Sequence, residues 1–473
     1  MAKSVTVIGA GMGGLSAAIY ARLRGWDVLV IEQHDRPGGK AAGIETEGFW
    51  LDPGPSIIIL TEIYDQVFRD AGRRPSDYLT FHRLDTLSRV MIEGGATIDL
   101  PSNADDCVRL LNDLAPSDVP AFRSMMERLD RVAEGVEDAV FRRPILTVRD
   151  FARPGLMRFG LQFNPFLSYR KMIDGWFQSP LLRAFFYGFP SYSGQTYDDA
   201  APGALLIPYY MLRRGVSFPN GGVRQIPQAF YRLACELGVK FRFHTRFDSF
   251  VSDREIRLES GERLVADGVI CNIDKLTALK QNEPTPSMSY FTLHYGVRGE
   301  VGNLDHHNLL VPRRFQDGFD ALYSNRFPNP PIVYVNATQK LDSKAAPPGC
   351  TNLFAVVTVP AEGPEIDWAS KRAEYRAYVK QRLEVHGLHW SDKDVVFERV
   401  QDPPYFQAQH GNYRGSLYGP IQRQRAFGLF PLANWDPQHP RRAFCGGSVQ
   451  PGAGLPMVTL SGKFAVDCLA KVI

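Results

Sequence analysis

Residues 5–43, VTVIGAGMGGLSAAIYARLRGWDVLVIEQHDRPGGKAAG, constrain the fold more than the rest of the chain together. A β-branched run, Val5 to Ile8, passes directly into Gly9-x-Gly11-x-x-Gly14. A helical pattern follows from Leu15 to Arg24, and a second apolar run, Val28 to Ile31, ends on Glu32. This reads as strand, tight glycine turn, helix and parallel strand. Gly9 makes the turn, Gly11 lets backbone approach a pyrophosphate, and Gly14 lets helix pack on strand. The anion belongs at the helix N-terminus, over Met12 and Gly13, where free N–H groups and the helix dipole favour negative charge. Glu32 stands where a carboxylate binds a ribose 2′-hydroxyl, with Gln33 beside it.

The motif continues as Arg36-Pro-Gly38-Gly39-Lys40. Arg36 and Lys40 bring positive charge to the phosphates, and Gly38-Gly39 keeps the loop thin. The acid, arginine and Gly-Gly succession resembles the extended dinucleotide motif of FAD-binding amine oxidases and carotenoid desaturases. It favours non-covalently bound FAD over NAD.

At 473 residues the length suggests two or three domains. A net charge of +3, with no basic run or stacking platform, argues against a nucleic-acid partner. Six scattered cysteines have neither C-x-x-C nor zinc spacing, so no metal site is expected and the thiols fit a reducing compartment. The N-terminus opens on the nucleotide strand without a signal peptide, and no run reaches the ~18 apolar residues of a membrane span. The expectation is a cytoplasmic protein, with peripheral attachment to the inner face of the cell membrane left open.

Further along, GFWLDPGPS (48–56) reads as a loop that carries Asp52, Gly54 and Pro55. A charged helical stretch covers about 61–133, with a hairpin near 87–100 turning at Gly94-Gly95. Residues 151–192 hold 12 aromatic residues among 42, with Arg153, Arg158, Arg170, Lys171 and Arg183 against the single acid Asp174. Three readings stand: a Phe-rich helical core, a face for docking on anionic headgroups, or the wall of a tunnel for a long apolar ligand. Short β-rich runs follow at 239–243, 247–251 (opening on Phe247), 256–258 and 269–271. A second strand-rich block at 286–434 has a long helix at 368–383.

The C-terminus, FCGGSVQPGAGLPMVTLSGKFAVDCLAK (444–471), repeats the strand, glycine turn and helix arrangement. Gly447, Ser448 and Gly454 give close backbone approach. Leu455 and Pro456 open a helix whose N-terminus would stabilise negative charge on a reduced flavin. The two ends of the chain thereby meet on one cofactor.

The markers VIGAGMGGLSAA, GFWLDPGPSII, FPNGGVRQIPQAFYRLACELGVKFRF, VADGVICNID, APPGCTNLFAVVTVP, GSLYGP and GGSVQPGAGLPMVTLSGK run almost end to end. With them the chain resembles the carotenoid (phytoene-type) desaturases of the FAD amine-oxidase superfamily. It leans to the hydroxycarotenoid 3,4-desaturase and diapocarotenoid oxidase branch, although Gln450 stands where those relatives usually show a histidine beside the flavin.

The resemblance implies an α/β fold. A Rossmann-like FAD-binding domain (1–75, 220–275 and 435–473) would join a mixed-sheet substrate domain (276–434), with a helical cap and further substrate-domain residues at 76–219. It implies desaturation of a linear carotenoid or other polyisoprenoid by hydride transfer to flavin N5, a peripheral membrane site, and oxygen or a quinone as acceptor. The alternatives are a carotenoid end-group oxidase, a squalene-type dehydroxylase or an amine oxidase of the same fold and, more remotely, a non-catalytic prenyl-lipid binder. No catalytic dyad or triad is legible. Arg170 and Asp174 in the cap, and His410 and Tyr413 before GSLYGP, are the candidates near a reacting chain end. Asp52 is expected to fix its loop.

Overall fold

The computed structural model describes residues 2–164, 166–198, 200–282, 284–314, 326–361, 366–421 and 432–473. Strands from three distant parts of the chain build one parallel sheet, in the order Arg442–Phe444, Gly268–Cys271, Ser4–Ile8, Asp27–Ile31 and Lys240–Arg242. Its central strands are buried on both faces, which is why they read as continuous apolar runs without alternation. Helices Met12–Leu23, Gln225–Glu236 and Leu455–Leu469 pack on it. The first and last helices touch backbone to backbone, since a Cβ on Gly462 would lie 2.4 Å from the Gly13 carbonyl oxygen. Ser16 Oγ donates to the Thr459 carbonyl across the same contact at 2.6 Å.

A second sheet has seven strands: Val395–Gln401, Ser289–Arg298, Cys350–Val359, Val333–Asn336, His307–Val311, Thr86–Ile92 and Thr97–Pro101. The last two form the expected hairpin around Gly94-Gly95. All pairs are antiparallel except His307–Val311 with Thr86–Ile92. Side chains alternate between two faces along each strand. Phe291, Leu293, Tyr295 and their neighbours Val333, Val335, Leu353 and Ala355 pack under helix Trp368–Val385. The opposite face, with Tyr290, Thr292, Tyr334, Val356 and Leu309, looks into a cavity.

Helices Ala104–Leu114, Val119–Phe141, Pro154–Gln162, Tyr169–Trp176, Pro180–Tyr187 and Leu206–Arg213 form a layer over that cavity. The aromatic-rich segment divides into buried, cavity-lining and exposed side chains. Phe163, Tyr169, Phe177 and Phe186 are fully buried core, with the Phe177 and Phe186 rings stacked 5.0 Å apart. Phe151, Phe159, Phe185, Phe189 and Tyr192 line the cavity. Leu161 and Phe166 are 85% and 81% exposed. Arg153 is not a surface cation: it is buried, and its guanidinium donates to the carbonyls of Ala139, Arg143 and Pro144 and to Asp150.

One expected loop is a hairpin. Phe49–Leu51 pairs antiparallel with Ile44–Thr46 across Glu47-Gly48, both at positive φ. Phe49 and Trp50 supply the β-propensity that the Pro-Gly content after them obscures.

Candidate functional site

A cavity of about 1970 Å³ extends from the glycine turn of the parallel sheet to the helical layer. Two helix N-termini open onto it. The first turns of Met12–Leu23 and Leu455–Leu469 line the cavity, and neither carries a side-chain cap. Their unsatisfied N–H groups and dipoles therefore offer two anion-binding positions in one space. This arrangement, with the glycines that thin the loops between them, fits a flavin dinucleotide. The pyrophosphate would lie on the first helix and the isoalloxazine near the second.

All the residues nominated for the cofactor line this cavity except Gly13 and Gly14. Those two are packing positions. A Cβ on Gly14 would lie 2.0 Å from the Gly9 carbonyl oxygen, and one on Gly13 would lie 2.5 Å from Asn272 Oδ1. The absence of a Cβ at these positions admits the helix to the strands. At Gly54 a Cβ would meet the Lys40 carbonyl oxygen at 2.2 Å, which locks the two cofactor loops together.

Glu32 is buried and holds the turn it follows. One carboxylate oxygen accepts from Ala10 N at 2.7 Å and the other from His34 N at 2.9 Å. Arg36 is half exposed and pairs with Asp35 at 3.0 Å. Lys40 is exposed where it lines the cavity, and its Nζ donates to Asn412 Oδ1 at 3.2 Å. Burial pushes its ammonium pKa down, against the pull of Asp274. Asp274 is itself pushed up to about 6 by burial, opposed by backbone N–H donors, Lys40 and Ser448.

The catalytic candidates fare differently. His410 reaches the cavity, but at the nucleotide end beside His34, with ring centroids 6.1 Å apart. Burial, reinforced by Lys40 and His34, pushes its pKa down to about 3. Tyr413 faces away: it is buried and donates to the Pro284 carbonyl at 2.7 Å. Arg170 and Asp174 lie on the outside of the helical layer, off the cavity, paired with each other and with Asp198, Tyr187 and Arg183. Asp52 fixes its loop as expected, accepting from Val223 N and Arg224 N at 2.8 and 3.0 Å. Gln450 is buried and does not line the cavity. Its amide binds the backbone N–H and carbonyl of Ile145 and so ties the C-terminal turn to the helical layer.

Two groups escaped the sequence reading. Asn272, Ile273 and Asp274 follow strand Gly268–Cys271 and line the cavity. Their position at the carboxyl end of a parallel strand was the available signal. The second group is a set of hydroxyls from five segments. Tyr290 Oη meets Tyr418 Oη at 2.7 Å, Tyr334 Oη meets Ser56 Oγ at 2.7 Å, and Tyr192 lies close enough to raise its own pKa through Tyr290 and Tyr334. Burial is the main cause of the raised pKa at each of the four phenols. From this cluster the sheet floor turns apolar through Val356, Ile332, Leu309, Val90 and Ile98.

The family model for flavin containing amine oxidoreductases matches residues 12–470. Among curated proteins, the chain is 32% identical to a zeta-carotene-forming phytoene desaturase of Myxococcus xanthus, over 99% of this chain and 94% of that protein. It is 31% identical to a 4,4'-diapolycopene oxygenase of a Methylomonas species, over 98% and 97%. A 4,4'-diaponeurosporene oxygenase of Staphylococcus aureus is 28% identical, over 99% and 98%. Among solved structures, an oxidoreductase from Methanosarcina mazei superposes with a TM-score of 0.66 at 16% identity, covering 98% of this chain and all of the other. A putrescine oxidase variant superposes at 0.63 with 13% identity, covering 100% and 99%. The likeness to the two structures carries the fold alone: a parallel sheet joined to a mixed sheet. The chain belongs to the flavin containing amine oxidoreductase family and is an FAD-dependent oxidoreductase.

Proposed function

We propose that the chain desaturates a long linear polyisoprenoid of the carotenoid kind. The observation that carries this reading is the continuity of one cavity from the two helix N-termini onto a broad apolar floor. Seven strands spaced ~4.8 Å apart give a floor about 29 Å across, long enough for an extended chain. The names of the relatives from Myxococcus and Methylomonas support the same substrate class.

Bound FAD supplies the hydride acceptor. The protein supplies the rest. Residues 1–75, 220–275 and 435–473 make the cofactor unit, with Gly9, Gly11, Glu32 and Lys40 at the nucleotide and Gly447, Gly454 and Leu455 at the ring. The floor and the helical layer exclude water and hold one carbon–carbon bond beside Ser56 and Tyr334. Among the described residues, every acid on the cavity (Glu32, Asp35, Glu45, Asp248 and Asp274) lies in the nucleotide half. Nothing in the sheet half neutralises an ammonium, which weighs against an amine substrate. The phenol cluster favours one second reading, oxidation of a chain end that bears oxygen.

No helix among the described residues is long and apolar enough to cross a membrane. Access for a lipid-soluble substrate is proposed at Met157, Leu161, Phe166 and Leu181, which are exposed. Phe166 and Leu181 also line the cavity, and Arg158 and Lys171 stand nearby as exposed cations for anionic headgroups. Oxygen or a quinone is the proposed terminal acceptor.

The test is co-expression with pathways that accumulate phytoene, neurosporene, hydroxyneurosporene or diaponeurosporene, with pigments identified by mass. Loss of two hydrogens is the expected outcome. Gain of oxygen at a chain end would move the assignment to the second reading, and no conversion by an FAD-loaded protein would overturn both.

A further inference from the structure

Ser56, Tyr334 and His307 form a row of hydrogen bonds that leads out of the cavity into the protein. Ser56 and Tyr334 line the cavity, with Oγ and Oη 2.7 Å apart. Tyr334 Oη is also 2.7 Å from His307 Nδ1. His307 is 2% exposed, and its Nε2 has no partner among the described residues. A buried, unsatisfied imidazole nitrogen costs stability, and a native fold that keeps one invites a functional explanation.

The row ends at His307. Its neighbour His306 packs against it with ring centroids 4.3 Å apart. His306 Nε2 accepts from Asn336 Nδ2 at 3.2 Å, which leaves the proton on the nitrogen facing the Ala337 carbonyl. His306 is therefore a neutral wall, while His307 has a nitrogen available to take a proton from Tyr334. The other buried histidine on this sheet, His294, reaches the cavity wall through Thr292 at 3.2 Å and through Gln401, touches none of the row's members, and is stacked under Phe354.

We propose that this row removes the proton released in the desaturation proposed above, with Ser56 facing the substrate, Tyr334 as the relay behind it and His307 as the final acceptor. The inference rests on that desaturase reading. Loss of two hydrogens from adjacent carbons sends one C–H electron pair away as hydride to the flavin and leaves a proton on the neighbouring carbon. Ser56 Oγ takes that proton and passes its own to Tyr334 Oη, whose proton moves to His307 Nδ1, while the C–H pair becomes the new C=C. The imidazolium returns its proton by the same route when the electron pair leaves for a two-electron oxidant, dioxygen or a quinone. Such an acceptor then carries away one hydride and one proton.

A C–H bond beside a developing carbocation is a far stronger acid than an imidazolium, so the lowered basicity that burial and His306 impose on His307 still suffices. It also keeps the acceptor from holding the proton. Asp52, whose charge is felt at Tyr334, lies on the side where a transient cation is favoured.

Two measurements test this on the FAD-loaded enzyme. In anaerobic single turnovers with phytoene or neurosporene in phosphatidylglycerol vesicles, the rate of flavin bleaching is read in H2O and D2O for the wild type, Tyr334→Phe and His307→Gln. Both variants should slow bleaching about 100-fold, the scale of a lost proton-transfer group. They should also lose the solvent isotope effect, because no exchangeable proton then moves in the slow step, while polyene quenching of tryptophan fluorescence stays unchanged. Wild-type rates in either variant would overturn the proposal.

The second measurement is independent of turnover and of variant folding. 15N NMR of the wild-type holoenzyme should show His307 neutral with its proton on Nε2, leaving Nδ1 free to accept. A proton on Nδ1 would overturn the row. A wild type that bleaches with neither polyene would count against the desaturase reading, and the NMR result would still decide whether the row is poised to accept.

Discussion

Glu32 shows how one residue can serve local structure and ligand at once. Its two carboxylate oxygens hold Ala10 N and His34 N, so the turn is shaped before any ribose arrives. Glu32→Ala leaves two backbone donors unsatisfied, at about 1–3 kcal/mol each where they are buried. FAD affinity should fall at least tenfold by flavin titration, and an unchanged affinity would remove the ribose assignment. Asp52 yields a pH signature. Burial raises its pKa from 3.8 to about 6 in the folded protein, against two backbone donors and Arg224. The folded state therefore binds a proton more tightly than the unfolded chain, and stability from this group declines as pH rises from about 4 to about 6, then levels off. The full extent is about 3 kcal/mol by linkage. Urea unfolding should show the wild type losing stability relative to Asp52→Asn across that window, and a difference that does not vary with pH would contradict it.

At the scale of elements, the helical layer depends on one close contact. Helices Val119–Phe141 and Pro154–Gln162 meet at Gly135 and Gly155, where a Cβ on Gly155 would lie 1.8 Å from the Gly135 carbonyl oxygen. Gly155→Ala must push the helices apart, and overpacking of this kind costs about 1–3 kcal/mol. The variant should melt at a lower temperature while keeping its FAD, because the contact is remote from the nucleotide loops. Equal melting temperatures would mean that the layer yields freely. Elements of this kind were legible when their signal was local. Gly94-Gly95 announced a hairpin, and Pro456 marked a helix start that the structure places at Leu455–Leu469. Phe49–Leu51 was read as loop because the following Pro and Gly residues outweighed the two strand formers Phe49 and Trp50, yet Ile44–Thr46 was near enough to pair with them.

At the scale of the whole molecule, the outer face of the helical layer changes the docking argument. Arg170, expected among the docking cations, is engaged with Asp198 and stacks over Tyr197. For the proposed docking the stronger determinants would be Leu161 and Phe166, which burial in a lipid interface would stabilise by roughly 1.5–3 kcal/mol each. Replacing both by serine together with Arg158→Ser should reduce sedimentation with anionic vesicles at least tenfold, and undiminished binding would place the docking face elsewhere.

The nucleotide half of this protein was determined by the sequence itself, because glycine spacing, helix starts and an acid at the end of a strand are steric and electrostatic requirements met within about forty residues of chain. The other half was decided by tertiary structure. Ser56 and Tyr334 lie 278 residues apart, and only the register of a seven-stranded sheet turns Tyr290, Tyr334 and Leu309 toward one cavity while Phe291, Val333 and Leu310 face the opposite core. Alternation along a strand tells which residues share a face. Which face closes on the cavity depends on what the rest of the chain packs against it.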